Sequence, residues 1–88
     1  MMERERASFV AECFWPGVTP ADLLALDDRI RRSVARPDGG GVSYFGSMLM
    51  YEDEVVLCQF EGTAETVRAL AERAGVPFER ILETSRAP

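Results

Sequence analysis

The apolar residues of this chain repeat first with the pitch of a strand, then of a helix, then of a strand twice, then again of a helix and a strand. That order leaves few folds open. Residues 8–15, SFVAECFW, are aromatic and branched and end at Pro16-Gly17, as a strand does. Leu23, Leu26, Ile30 and Val34 then form one helical stripe. Thr19 is placed to cap it, Pro20 suits the first helical position, and Asp22 puts negative charge in the first turn. Pro37 and the glycines 39–41 end it. Residues 42–51 and 55–61 read as strands across the acidic turn Glu52-Asp53-Glu54, which is short enough to make an antiparallel hairpin. Thr63 caps a second helix with Val67, Leu70, Ala71 and Ala74 on its buried side, and Gly75 closes it before Val76-Pro77. ERILETS, from Glu79, is a short last strand, and the tail 85–88 is expected to be loose.

Strand, helix, strand, strand, helix, strand is a doubled βαβ unit, the ferredoxin-like βαββαβ arrangement of the α+β class. Right-handed crossovers put both helices on one face of a four-stranded antiparallel sheet, with the first and third strands central. With 88 residues the chain is expected to be a single domain, 1–88, with its core in 8–84.

Alternation along the strands then sorts the faces. Phe9, Ala11 and Cys13 of the first strand and Val56, Cys58 and Phe60 of the third are wholly apolar sets and belong under the helices. Val10, Glu12 and Phe14, with Val55, Leu57, Gln59 and Glu61, belong on the uncovered face. For the second strand the expected phase puts Phe45, Ser47 and Leu49 under the helices and Tyr44, Gly46, Met48 and Met50 in the open. A sheet of this size exposes roughly 300–400 Å², as much apolar surface as a soluble monomer usually shows. The expectation is a homodimer whose two open sheets face each other, making a dimeric α/β barrel. A cavity lined by Glu12, Gln59 and Tyr44 would lie between them.

Composition limits the chemistry. The net charge of −5 argues against nucleic acid and anionic membranes, since both call for a cationic face. No apolar run approaches the ~20 residues of a membrane span, and MMERERAS lacks the apolar stretch of a signal peptide, so a cytoplasmic location is expected. There is no His and no Lys; all ten basic residues are Arg. The commonest general base, the commonest nitrogen ligand of metals and any Schiff base are thereby excluded. Cys13 and Cys58 have no metal spacing and are expected as free thiols in the core.

The segments Glu12–Gly17, VSYFGSMLMYEDEVV at 42–56 and AERAGVPFERI at 71–81 resemble the small nickel-binding, ferredoxin-like family of dimeric α/β barrels, mostly bacterial proteins of unassigned function. The resemblance spans residues 8–84. Its markers are Glu12, Trp15-Pro16-Gly17, the turn Glu52-Asp53-Glu54 and the link Gly75-Val76-Pro77-Phe78. It implies the dimeric barrel and a carboxylate at Glu12. Metal binding in that family depends on histidines; here Gly46 stands near where some members carry one, so no metal ligand is carried over.

An ionised carboxylate on an apolar face must be paired with Arg, reached by water, or protonated. The leading expectation is a homodimer that binds a small organic molecule between its sheets, with no cofactor. In its catalytic form it is an acid–base isomerase or cyclase: Glu12 moves a proton, Tyr44 and Gln59 orient oxygens, and Met48, Leu57 and Phe14 line the pocket. The alternative is a non-catalytic protein binding nickel or another divalent metal.

Overall fold

In the computed structural model, which describes residues 6–85 and 87, the chain runs β1 (Ala7–Phe14), α1 (Pro20–Ala35), β2 (Ser43–Met50), β3 (Val55–Gly62), α2 (Ala64–Arg73) and β4 (Arg80–Thr84). The elements match those expected from the periodicity and differ only at their ends. The MMERE start, residues 1–5, and Arg86 and Pro88 of the expected loose tail lie outside the described residues.

Both helices begin where their threonines direct. The Thr19 N–H donates to Asp22 Oδ2 at 3.0 Å, and Thr19 Oγ1 accepts from the Asp22 N–H at 3.1 Å. The pair is a capping box, satisfying donors that the first turn leaves unpartnered. Thr63 and Thr66 repeat it on α2, 3.1 Å each way. At the end of α2, Gly75 takes a φ of 74°, open to glycine at little cost. Its N–H reaches Glu72 O at 3.1 Å, and that of Val76 reaches Ala71 O at 2.9 Å, the two bonds of a Schellman stop. Arg29 of α1 caps the same end, with Nε 3.0 Å from Ala74 O, and so ties the helices together.

The strands form one antiparallel sheet in the order β2-β3-β1-β4, with β3 and β1 central. The helices lie against the face made by Phe9, Ala11, Cys13, Val56, Cys58 and Phe60, and each of these is buried. Leu26 and Ile30 of α1 and Val67, Leu70 and Ala71 of α2 complete the layer, all at 0% exposure. Among the described residues this core holds no buried charged or polar residue. Cys13 and Cys58 sit in it as free thiols. The hydrogen bond to Cys58, then burial, push the Cys13 thiol well up, so it stays protonated.

The expected phase of β2 needs one correction. Tyr44 pairs with Phe60, but Gly46 pairs with Gln59, so Phe45 is an extra residue in a bulge. Ser47 and Leu49 pair with Cys58 and Val56 on the helix side, and Met48 and Met50 pair with Leu57 and Val55 on the open side, as expected. Upstream of the bulge the parity inverts. Tyr44 turns under α1 and Phe45 turns out, 60% exposed. Gly46, with a φ of 111°, supplies the backbone conformation that the bulge requires. No helix among the described residues is long and apolar enough to cross a membrane.

Candidate functional site

The pairing register lays out the uncovered face row by row. Across β2, β3, β1 and β4 one row reads Met48, Leu57, Glu12, Arg80, and the next reads Gly46, Gln59, Val10, Leu82. Below them lie Ser43, Glu61, Ser8 and Thr84; above, Met50, Val55 and Phe14. Five of the expected site residues, Glu12, Gln59, Met48, Leu57 and Phe14, thus share this face. Tyr44 does not.

Glu12 is paired. Its Oε1 accepts a hydrogen bond from Arg80 Nε at 2.6 Å, with side-chain exposures of 31% and 63%. A charge-assisted bond of this length satisfies the carboxylate, and the exposure of Arg80 keeps the pair in contact with water. The β1–β4 ladder stops at this row, and Glu79 extends it by hand. Its N–H donates to Glu12 O at 2.9 Å, and its Oε1 accepts from the Phe14 N–H at 2.6 Å.

The hollow in the face lies to one side of Glu12. It has a volume of about 440 Å³ and is lined by Ser8, Phe45, Gln59 and Glu61. A narrower cleft shares Ser8, Phe45 and Gln59 and extends to Thr84. Of the expected site residues only Gln59 lines the hollow. Glu61 and Ser8 have the open-face parity but carried no motif. Phe45 was hidden by the bulge, and an aromatic next to a glycine in a strand is the one signal that could have exposed it.

Tyr44 belongs to a polar cluster on the other layer. Its hydroxyl donates to Asp27 Oδ1 of α1 at 2.7 Å and lies 2.6 Å from Ser47 Oγ. Asp27 Oδ2 accepts from Arg31 Nε at 2.9 Å, and the Arg31 guanidinium lies 5.0 Å over the Tyr44 ring. The Arg31 hydrogen bond, with that of Tyr44 behind it, holds the Asp27 carboxyl below its ordinary range. Burial, reinforced by Asp27, pushes the Tyr44 phenol well up. The cluster clamps α1 to β2 and keeps a neutral phenol, which suits it to a structural task.

The acidic turn is also structural. Glu54 Oε2 accepts the Gly17 N–H at 2.9 Å, and Glu54 O accepts the Trp15 N–H at 2.8 Å. Two features that sequence alone left separate, the Trp-Pro-Gly corner and the hairpin turn, are thus one joint. No group of three or more His, Cys, Asp or Glu side chains converges to hold a metal among the described residues.

None of the protein-family models and none of the curated proteins matches this chain. Among solved structures it is similar to the crystal structure of SCO4226 from Streptomyces coelicolor A3(2), with a TM-score of 0.74 over 93% of this chain and 100% of that one. The identity is 22%, and the likeness establishes the shared ferredoxin-like fold.

Proposed function

We propose that the uncovered sheet face is the working surface: two copies of the chain stack on it, and a small organic molecule is held in the hollow between them. One observation carries this reading. Of the seven large apolar side chains exposed among the described residues, five lie on this face: Phe14, Phe45, Met48, Met50 and Leu82. A face of roughly 300–400 Å² is at the limit of what a monomer leaves wet, and a second copy removes it from water twice over. A short chain also gains most from such pairing, because alone it hides only about 60–65% of its surface.

If the molecule bound there reacts, the acid–base group at hand is Glu12, oriented by Arg80 and one diagonal step from Gln59. Tyr44 takes no part, because it serves the opposite layer. Sedimentation velocity at micromolar concentration tests the pairing. The wild type is expected as a dimer and Met48→Glu, which buries a carboxylate in the stacked face, as a folded monomer. A wild-type monomer throughout that range overturns the reading. For catalysis the test is Glu12→Gln: a variant that binds and turns over ligand as before removes Glu12 from the mechanism.

A further inference from the structure

The hollow has a chemical sign. Its polar lining is the Ser8 hydroxyl, the Gln59 amide and the Glu61 carboxylate; its apolar wall is the exposed ring of Phe45. Among the described residues no cationic side chain lines it. At its edge Arg6 forms an ion pair with Glu61, Nη2 to Oε1 3.7 Å, too long for a direct hydrogen bond. Three of its five N–H donors hydrogen-bond elsewhere, to Gly41 O at 2.7 Å and to Ser43 Oγ and Glu61 O at 3.2 Å. Among the described residues, therefore, no donor hydrogen-bonds the Glu61 carboxylate, which can accept from up to about four directions.

We infer that the hollow takes a small organic cation, a primary or secondary ammonium. Its head sits on Glu61, its body lies against Phe45, and a hydroxyl or carbonyl group meets Gln59 and Ser8. This rests on the reading of the uncovered face as the working surface. Three features select the class. A carboxylate beside an aromatic face attracts an ammonium through both charge and ring quadrupole. The volume of about 440 Å³ suits a molecule of a dozen or so heavy atoms and far exceeds a bare metal ion, for which a single lining carboxylate is also too few ligands. An anion would meet Glu61 directly and the chain's net charge of −5 beyond it.

The test uses three probes of one shape: 2-phenylethylamine, 2-phenylethanol and 3-phenylpropionate. Each is titrated into the ¹⁵N-labelled full chain and followed by amide shifts at Ser8, Phe45, Gln59 and Glu61. The amine is expected to saturate those shifts at least about tenfold more tightly than the alcohol or the acid. Glu61→Gln is expected to weaken the amine about tenfold. Arg6→Gln removes the same ion pair from the other side and is expected to hold the amine as tightly or more so. Equal binding of the alcohol or the acid, equal weakening by both variants, or no saturation by the amine overturns the inference. Sedimentation of the same samples separates it from the underlying reading. A dimer that binds the alcohol as well as the amine keeps the working surface and loses the cation. A monomer that selects the amine keeps the cation site and loses the pairing.

Discussion

Replacing Tyr44 by Phe removes one oxygen and leaves the ring in place, so it isolates the clamp between α1 and β2. Two bonds are lost: one to the Asp27 carboxylate at 2.7 Å and one shared with Ser47 at 2.6 Å. A bond to a charged group contributes about 1.5–3 kcal/mol and a neutral one about 1 kcal/mol. Asp27 keeps Arg31 and has water within reach, its side chain being 29% exposed, so the upper end is not realised. The expected loss is about 1.5–2.5 kcal/mol, a fall of roughly 6–20 °C in Tm for a domain of this size. Urea unfolding at one fixed protein concentration measures it, and a double-mutant cycle with Asp27→Asn should return a coupling of about 1 kcal/mol or more. Acid gives a second readout. The folded Asp27 carboxyl lies below its unfolded value of about 3.9, so its contribution is complete above that pH and is lost as the pH falls through the folded value. The gap between wild type and Tyr44→Phe should therefore narrow below about pH 4. A stability change under about 0.5 kcal/mol would refute the clamp. Unchanged stability with altered dimerisation or ligand binding would return Tyr44 to the open face, where the strand parity alone would put it.

Gly46→Ala introduces a Cβ that meets nothing within 4 Å, yet it should cost about 1–2 kcal/mol in denaturant unfolding, because the φ of 111° penalises any side chain. Glu54 holds a φ of 54° while its carboxylate takes the Gly17 N–H. Glu54→Ala should lose about 1 kcal/mol with that bond, whereas Glu54→Gly recovers a similar amount of backbone strain and should stay near wild type in Tm. Leu26→Ala, at a position with no exposure, should cost about 2–5 kcal/mol by urea titration, a large share of the stability of so short a chain.

What could be known before the fold was what is local. Caps, stops and periodicity act over a turn or a pleat, so Thr19, Thr63, Gly75 and the stripes on both helices announced their roles in the string. On the two central strands, where pairing is regular, parity sorted every side chain to its face, and Glu12 and Gln59 were found on the uncovered one. The order of the elements then left handedness and strand adjacency little freedom.

The rest was decided by distance through space. A single bulged residue in β2 moved Tyr44 from the uncovered side to the helix side and put Phe45 into the hollow, and only the pairing with β3 reveals where that extra residue falls. Glu12 met Arg80 across 68 positions, and Glu61 at the hollow met Arg6 as an ion pair at 3.7 Å while three donors of that guanidinium went to Gly41, Ser43 and the Glu61 backbone. Hydrophobic pattern is a property of neighbours in sequence, and it chose the layers. The electrostatics of the face depend on which side chains the folded sheet brings within a few ångströms, and no window of the sequence contains that information.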